Sequence, residues 1–472
     1  MKRRNLLLAL FATACTTMYA GGLMTNTNYH IAFDRMFARG ATTEIDAAYS
    51  NPAGLAWGHE GWQLSLNFQK PWQYRDITTT SESPLFQAQY GESTHKFKGK
   101  ASAPIVPALF ASYKKDRWAL STMIGIVGSG GFVEYKEGIP MFNVMTMGKI
   151  YQQTGGMITP NMYTIDSNVK GKQYIYGGQL NFTYRIIDCL SAAVGLRANY
   201  YDGYNRGHVN AVPRQDINMV LPQLLNLNLD VIQRGWGYTP IIGIDYHKGP
   251  LTIGAKYEFR TKITTKNDTR ALNVTMAGQK TDIKAMAEQY GNETTLAGIA
   301  AAMGPEMAEK IKDYMPDAKT RYDMPALLAL AVQYEFTTKL RGAVEYHFFD
   351  DKHAKMTNAR QKELSHGTHE ILAGVEYDIN KMFTISMGGQ RTDYGLSKGY
   401  QSNTSFACDS YSVGLGGAIN INEKLRVNVS YFCSLYSDYT VESDNYLGTG
   451  AKGKDVYSRT NHVIGIGVDY KF

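Results

Sequence analysis

The fold is decided by the last twelve residues of the chain, Asn461-His462-Val463-Ile464-Gly465-Ile466-Gly467-Val468-Asp469-Tyr470-Lys471-Phe472. From Ile464 onward, large apolar residues alternate one by one with glycine or charged residues. A period of two predicts a β-strand with one apolar face and one polar face. Because the polar face carries a carboxylate and an ammonium group, we expect it to line a hydrated lumen, while the apolar face meets lipid.

The same alternation recurs in twelve further segments, and a thirteenth, residues 104–113, is less regular but is counted too, so that fourteen strands are predicted. These segments are residues 62–69, 104–113, 118–126, 174–186, 190–200, 236–246, 251–259, 328–336, 340–348, 371–377, 383–389, 411–419 and 425–433. The links after the even-numbered strands have three to five residues, whereas those after the odd-numbered strands span 73–96, 129–169, 205–234, 265–321, 350–368, 391–409 and 436–459. Short turns at one end and long loops at the other are typical of an outer-membrane barrel with both termini in the periplasm.

Ionisable side chains are concentrated on one face of these strands. They are Arg185, Arg197, Lys256, Glu258, Arg260, Glu335, Arg341, Glu345, Glu370, Glu376, Arg426, Asp469 and Lys471. In the dry core of a soluble sandwich each of them would cost several kcal/mol unless it were paired. A hydrated lumen removes that cost, and closure of the sheet removes the unpaired edges that lipid does not tolerate. The predicted fold class is therefore all-β, a 14-stranded antiparallel transmembrane β-barrel over residues 61–472.

The chain begins with features of a secretory signal. An apolar run over residues 6–14 follows the basic residues 2–4 and is too short for a membrane-spanning helix. We predict a signal peptide over residues 1–20 with cleavage after Ala20, and lipidation at Cys15 is the alternative.

The composition excludes several classes of protein. A content of 33 Tyr and 46 Gly suits a β protein, and no run of eighteen apolar residues predicts a membrane-spanning helix. The cysteines after the signal, Cys189, Cys408 and Cys433, lack the spacing of a metal site. The net charge of +7 is spread along the chain, so we expect solvated loops and contact with anionic lipid head groups, and no nucleic-acid partner.

Residues 21–60 do not alternate, and they contain Asn51-Pro52-Ala53-Gly54, a turn by its residue types. With this segment before fourteen strands, the mature chain resembles the FadL/TodX family of outer-membrane transporters for long-chain fatty acids and other hydrophobic compounds. Residues 46–54 are similar to the hatch signature of that family, and residues 21–28 to the mature start of its Bacteroidetes-type branch. The resemblance implies that residues 21–60 fold into the barrel as a hatch, or plug, and that transport is passive.

The resemblance also implies capture of the substrate by outer loops three and four and its sideways release at a kink in the third strand. Loop three is too apolar for a solvated loop, and loop four has apolar residues at nearly helical spacing. The candidate substrate-binding residues are Leu221, Leu224, Leu225, Leu229, Ile299 and Met303. Alternatively, the two loops pack on each other as a closed cap.

Glycines are concentrated where the third predicted strand ends. Because glycine weakens a β-ladder and marks bulges, the candidate lateral gate consists of Gly125, Gly128, Gly130 and Gly131. The competing interpretation is the plain start of a loop.

A fatty-acid carboxylate would need a cation in the lumen, and Arg197 and Arg206 near the upper end of the fifth strand are the candidates. The alternative is that these arginines pair with lumen carboxylates such as Glu345 and Glu376. The chain offers little for catalysis, since Ser129 lacks both a glycine two positions earlier and a following helix. Gly367, between His366 and His369, argues against a metal-binding helix.

We therefore expect no enzymatic activity, metal or cofactor. The expected partners are outer-membrane lipids, a hydrophobic small-molecule substrate and the barrel-assembly machinery, which would recognise the strand that ends in Phe472. The chain is expected to be a monomer in the outer membrane of a Gram-negative bacterium. The alternatives are a receptor for haem or another hydrophobic ligand, and a structural or adhesive surface barrel.

Overall fold

The structure is a computed structural model that describes residues 29–103, 105–217, 223–276, 278–303 and 305–472. The predicted signal peptide and residues 21–28 of the predicted hatch lie outside this range. The described strands are β1 (Gly61–Ser81), β2 (Thr94–Phe97), β3 (Gly99–Ser102), β4 (Val106–Lys115), β5 (Trp118–Tyr135), β6 (Tyr163–Ile187), β7 (Leu190–Pro213), β8 (Leu225–Lys248), β9 (Leu251–Glu258), β10 (Thr264–Met276), β11 (Gln279–Asp282), β12 (Lys319–Arg321), β13 (Leu327–Glu335), β14 (Leu340–Phe349), β15 (Thr368–Asp378), β16 (Phe383–Asp393), β17 (Ser410–Asn420), β18 (Leu425–Tyr436), β19 (Tyr439–Ser443) and β20 (Gly453–Lys471).

All of these strands belong to one antiparallel sheet that closes on itself. Fourteen form the barrel wall, and the remaining six, β2, β3, β10, β11, β12 and β19, extend its extracellular edge. The barrel closes where β20 pairs with β1, from Gln63 opposite Lys471 to Ser81 opposite Gly453. The predicted fourteen-stranded antiparallel barrel is therefore confirmed.

The two faces of the wall have the predicted chemistry. On β20, Ile464 and Ile466 point outward and are 47% and 51% exposed, whereas Gly465 and Gly467 face the lumen. Buried polar residues on the inner faces of other strands include Gln179, Asn199, Thr239, Lys256, Glu345 and Glu376. The exposed apolar side chains form a belt around the barrel, which is the surface that a bilayer covers.

Several strands extend well past that belt. β6 has 25 residues and β7 and β8 have 24 each, although about ten tilted residues cross a bilayer. The predicted links 129–169 and 205–234 were therefore too long, because much of each is strand. In β8 the residues Leu225, Leu227 and Leu229 turn inward, so the inner face becomes apolar above the membrane. An apolar inner face does not match the pattern expected of a hydrated lumen.

The helices lie inside the barrel or in its extracellular loops. Inside are α1 (Ile31–Met36), α2 (Ala47–Ser50) and a 3₁₀ helix over Pro52–Trp57. The loops contain α3 (Pro84–Tyr90), α4 (Pro140–Gln153), α5 (Ile283–Tyr290), α6 (Asn292–Met303) and α7 (Pro305–Lys312), with 3₁₀ turns at Pro160–Met162, Asp351–His353, Thr357–Glu363, Lys398–Tyr400 and Tyr446–Gly448. In the part of the chain that the structure describes, none of the helices has both the length and the apolar character needed to cross a membrane.

Candidate functional site

The lower lumen is filled by residues 29–58, which we call the inner segment. Helix α1 packs against the inner faces of β15 to β18, and the 3₁₀ helix packs against β6, β7 and β8. Glycines in the wall make room for α1. A Cβ atom at Gly374 or Gly388 would lie 1.9 or 2.2 Å from the carbonyl oxygen of Met36, and one at Gly414 would lie 2.1 Å from that of Asp34. Any larger residue at these positions would displace the helix.

Ion pairs fix α1 and the turn after it to this glycine-lined wall. The guanidinium of Arg35 pairs with the carboxylate of Glu376, and both side chains are fully buried. Glu345 accepts hydrogen bonds from the backbone N–H groups of Arg39 (2.7 Å) and Gly40 (2.8 Å). Its other carboxylate oxygen lies 2.6 Å from Nε2 of His347. The lumen carboxylates therefore act as anchors for the inner segment.

The predicted hatch residues contact the opposite wall. Asn51 Nδ2 donates to the carbonyl oxygen of Ile244 at 3.0 Å. The carbonyls of Pro52 and Ala53 accept hydrogen bonds from Thr183 Oγ1 (2.8 Å) and Ser191 Oγ (2.7 Å). A Cβ atom at Gly54 would lie 2.2 Å from the carbonyl oxygen of Thr42, within the inner segment itself. Residues 51–53 thus form hydrogen bonds with three successive wall strands, β6, β7 and β8. Gly54 packs closely against the backbone of Thr42.

Arg197 belongs to this interface. Its guanidinium pairs with Glu258, which also accepts a hydrogen bond from Lys256 Nζ at 2.8 Å. The ring of Tyr49, on the inner segment, lies 5.5 Å from the Arg197 guanidinium and 5.0 Å from Lys256 Nζ. Lumen pairing was the predicted alternative to carboxylate binding, and the partner is Glu258 rather than Glu345 or Glu376. With 1% of its side chain exposed, Arg197 serves here to hold the inner segment.

Arg206 is not in the lumen, which corrects the prediction. It lies nine positions after Arg197 on β7, and the ladders of β7 with β6 and β8 continue without a bulge between them. An odd separation in a regular strand places two side chains on opposite faces. Arg206 therefore faces outward, where its Nε lies 2.9 Å from Asp230 Oδ1 and its guanidinium covers the ring of Tyr204.

The wall is irregular at β5, the third strand of the barrel. Its ladder with β4 runs from Trp118 to Ile124, and its ladder with β3 runs from Val133 to Tyr135. Residues 125–132, which we call the ladder break, lie between these two ladders. On the other side β5 stays paired with β6, but the register shifts at Val127 and again at Gly130.

All four predicted gate glycines lie in the ladder break. Gly128 and Gly131 each follow a register shift, and Gly131 has a positive φ of 72°, a conformation that residues with a Cβ rarely adopt. Two bulges in four residues bend a strand strongly. The glycines therefore mark a kink in the wall, and its use as a gate stays a prediction.

Apolar side chains line the ladder break. Ile126 is buried there against Ala103 and Val106, with Tyr174 packed beside them. On the lipid-facing side, Ile105 is 60% exposed.

Tyr29, at the start of the inner segment, packs against the same group of residues. It also packs against a second apolar cluster that contains Tyr49 and Phe110, inside the barrel. Tyr29 therefore connects the lumen to the ladder break, and sequence reasoning missed it. A tyrosine that directly follows Thr25-Asn26-Thr27-Asn28 carries no periodic signal, so nothing in the sequence distinguishes it.

The upper lumen is filled by an apolar group that we call the upper cluster. It includes Leu224, Leu225, Leu229, Ile299, Ile311, Met315 and Phe406. Leu224, Leu225, Leu229 and Ile299 were predicted as substrate-binding residues, and the structure brings them together as buried neighbours. Leu221 lies outside the described residues, and Met303 ends α6. The structure thus shows loops three and four packed on each other, and substrate binding by them stays a prediction.

Comparison with known proteins gives similarity in structure only. Scans of protein-family models and of curated protein sequences found no match. Among solved structures, a Pseudomonas aeruginosa FadL homologue is similar with a TM-score of 0.65 and 14% identity, over 96% of this chain and all of that one. The P. putida toluene transporter TodX is similar with a TM-score of 0.53 and 14% identity, over 92% of this chain and 99% of that one. The Ralstonia pickettii toluene transporter TbuX is similar with a TM-score of 0.52 and 12% identity, over 94% of this chain and 99% of that one.

The chain has the FadL/TodX fold. The similarity covers nearly the whole length on both sides. In this FadL-type barrel Ser129 lies in a bulged strand rather than at a strand-to-helix turn. Within the described residues, no group of three His, Cys, Asp or Glu side chains is arranged to hold a metal ion.

Proposed function

We propose that this protein is a passive outer-membrane transporter of hydrophobic compounds, long-chain fatty acids among them, and that it releases them sideways through the wall. The ladder break supports this proposal most directly, because a break in β-pairing at the level of the apolar belt offers a path from lumen to lipid. The fold shared with a FadL homologue and with two toluene transporters supports the same class of substrate.

The inner segment makes the sideways route preferable to a vertical one. Its charged and polar groups bond the wall below the ladder break, from Asn51 on one side to Arg35 on the other. A hydrophobic molecule that continued downward would have to displace these bonds and enter water. Leaving through the ladder break keeps its apolar surface away from water throughout, and this is favourable by about 25 cal/mol per Å².

In the proposed route, substrate is captured where loops three and four meet, and it passes along the upper cluster. The buried Leu225, Leu229 and Ile299 provide an apolar path toward the lumen. Tyr29 then closes the ladder break from within, and a shift of its ring opens the exit. The signal peptide, the outer-membrane location and recognition of Phe472 by the assembly machinery are parts of the same proposal.

The test is to straighten the third strand. Deleting both Val127 and Gly130 removes the two extra residues of β5. Because two residues are removed, the side chains on either side of the ladder break keep their inward and outward alternation, and the pairing can continue through the break. Uptake of a labelled long-chain fatty acid and of toluene is measured in Gram-negative cells that lack their own transporters for these compounds. We expect uptake to fall to the level of cells without the protein.

The matched control deletes Gly155 and Gly156, two glycines with positive φ in the extracellular loop between α4 and β6. This variant should transport like the wild type. Both proteins are checked for folding by the heat-dependent shift in gel mobility that barrels show. Unchanged uptake by the straightened barrel would contradict sideways release, and haem binding without uptake of either compound would favour the receptor alternative.

A further inference from the structure

Three cations stand side by side on the outer face of the barrel, near its extracellular end. Lys266 on β10 lies directly opposite Arg234 on β8 on one side and Lys319 on β12 on the other. Thr265 and Thr320 are buried on the inner face, so the lysines beside them point outward. We call Arg234, Lys266 and Lys319 the basic row. Because like charges directly opposite each other destabilise a sheet, an anion bound along this row would be favourable.

The register of the strands sets the height of the basic row. One step lower on the same three strands, Trp236 lies opposite Thr264, and Thr264 lies opposite Arg321. Trp236 is 59% exposed and packs against Tyr200 with ring centroids 4.8 Å apart. Exposed aromatic residues around a barrel mark the level where the bilayer meets water. The basic row lies about 7 Å farther out along the strands, at the level of charged lipid head groups.

The acids near the basic row neutralise only part of its charge. Arg234 Nε lies 3.4 Å from Asp202 Oδ1, but a lysine of β6 shares that carboxylate. Lys266 Nζ lies 2.7 Å from Asp317 Oδ1. Among the described residues, Lys319 has no carboxylate in ion-pair distance. The row therefore keeps an excess of positive charge on its outer face.

Lys319 also lines a cleft of about 790 Å³ between α7, β12 and the 3₁₀ turn Thr357–Glu363, which we call the basic cleft. Its basic residues are Lys312, Lys319, Arg321, Lys355 and Lys362, and its acids are Glu309 and Asp313. Lys312 pairs with Glu309, and Arg321 pairs with a buried aspartate. Lys355 and Lys362 are exposed and have no ion-pair partner within the part of the chain that the structure describes. Pockets of this size, within about 300–1,000 Å³, are typical of ligand sites.

The basic row and the basic cleft form one continuous surface, because Lys319 belongs to both. The row faces the bilayer, so the anion that binds there belongs to a lipid. The cleft adds cations in the extracellular loops, so the same lipid carries further acidic groups beyond its head-group phosphates. A glycolipid with phosphate on its first sugars and acid groups on the next ones has this order of charges.

We propose that the basic row binds the phosphate groups of lipopolysaccharide, the glycolipid of the outer leaflet, and that the basic cleft receives its acidic inner sugars. Lysine and arginine side chains at a membrane surface recognise anionic lipid head groups in this way. The inference concerns a lipid bound on the outside of the wall rather than the transported compound. It rests on the outer-membrane location in the proposed function and goes beyond the transport that is proposed there.

The experiment measures the binding of Kdo-lipid A, a lipopolysaccharide reduced to its lipid and acidic inner sugars, to the purified protein in nanodiscs of neutral phosphatidylcholine. The row variant combines Arg234→Gln, Lys266→Gln and Lys319→Gln, which remove charge and keep polar side chains. Because each cation at a charged membrane surface contributes about fivefold in affinity, we expect the row variant to bind about a hundredfold more weakly than the wild type.

A second variant separates the sugars from the phosphates. The cleft variant combines Lys355→Gln and Lys362→Gln. It should bind Kdo-lipid A about tenfold more weakly than the wild type but bind lipid A without the acidic sugars equally well. The matched control for the row combines Lys339→Gln, Lys381→Gln and Lys424→Gln, which remove the same charge from exposed lysines of the periplasmic turns. It should bind both lipids like the wild type.

Several results would overturn the inference. They are equal losses in the row variant and its control, binding of phosphatidylglycerol as tight as that of Kdo-lipid A, and complete displacement of Kdo-lipid A by inorganic phosphate. The heat-dependent shift in gel mobility checks the folding of each variant, and the row variant should take up toluene like the wild type. A wild type that takes up toluene but binds no Kdo-lipid A would overturn this inference alone. A wild type that binds Kdo-lipid A but takes up neither fatty acid nor toluene would contradict only the proposed transport.

Discussion

Glycines line two regions of the same barrel wall, and they do different things there. In β15, β16 and β17, Gly374, Gly388 and Gly414 sit in ladders without any register shift, pressed against the backbone of α1. In β5, Gly128 and Gly131 sit beside two register shifts. The first region, β15 to β17, has unbroken pairing and carries the inner segment, and we call it the closed wall. The second region contains the ladder break.

The difference lies in what stands opposite each glycine. A side chain at Gly374 would meet a carbonyl oxygen, so the missing Cβ is needed for clearance and the strand stays regular. A Cβ at Gly131 would meet nothing within 4 Å, so there the glycine serves the backbone conformation instead. The comparison teaches that a glycine in a strand marks a kink only where its φ or the register requires one.

The largest expected effect is in the closed wall. Glu376→Gln should destabilise the protein by about 3–5 kcal/mol, because Arg35 would lose its carboxylate while Arg341 and Arg426 remain beside it. Unfolding in denaturant measures the loss, and protease cleavage within residues 29–58 reports release of the inner segment. Glu335→Gln, an exposed carboxylate on β13, is the control and should change stability little. Equal effects of the two variants would show that α1 is not held by this pair.

The second prediction tests the clearance of the same wall. Gly374→Val should cost about 1–3 kcal/mol through overpacking and should raise the conductance of single barrels in planar bilayers, since α1 is pushed from its place. Gly178→Val is the matched control. It replaces a glycine in β6 whose Cβ would have nothing within 4 Å. If neither Gly374→Val nor Gly178→Val raised the conductance, the prediction that a side chain at Gly374 displaces α1 would be contradicted.

The third prediction concerns the ladder break. Tyr29→Ala should raise the uptake of toluene severalfold, because it removes the ring that packs between Ile126 and the lumen cluster. Tyr29→Phe keeps the ring and should behave like the wild type. A lower uptake with alanine would mean that Tyr29 guides the substrate rather than blocks it.

The smallest expected effect is at the extracellular end of the closed wall. Burial raises the pKa of Asp351, in the loop between β14 and β15, to about 7, and the nearby Asp350 and Glu370 add to this shift. Asp351 Oδ2 accepts a hydrogen bond from the backbone N–H of Thr368 at 2.9 Å. Because the folded pKa is above the unfolded value of about 3.9, the stabilising effect is complete below pH 4 and is lost as the pH rises toward 7.

Asp351→Asn should remove this pH dependence, since an amide stays neutral. Hydrogen exchange of residues 350–368 at several pH values, corrected for the intrinsic base-catalysed rate, measures it, and the protection of the wild type should fall between about pH 4 and 7. Glu363→Gln, an exposed carboxylate in the same loop, is the control. Identical pH profiles for the wild type and Asp351→Asn would contradict the assignment.

The sequence predicted the number of strands and, within the fourteen predicted segments, the face that the residues occupy, because a period of two is a local property of the chain. It could also have placed Arg206 outside the lumen, since nine residues separate it from Arg197 in an unbroken strand. The alternation Leu225-Asn226-Leu227-Asn228-Leu229 likewise carried the signal for the upper part of β8, which was predicted as a loop. These two errors came from not following the period past the membrane.

Other features were decided by the tertiary structure alone. The partner of Arg197 is Glu258 because the register of β7, β8 and β9 brings these strands together, and no spacing in the sequence gives that register. The bulges at Val127 and Gly130 depend on how β5 meets β6, and the position of Tyr29 depends on the break that they produce. Periodicity is fixed by neighbours along the chain, whereas clearance, ion pairing and the ladder break depend on residues that meet only when the barrel closes.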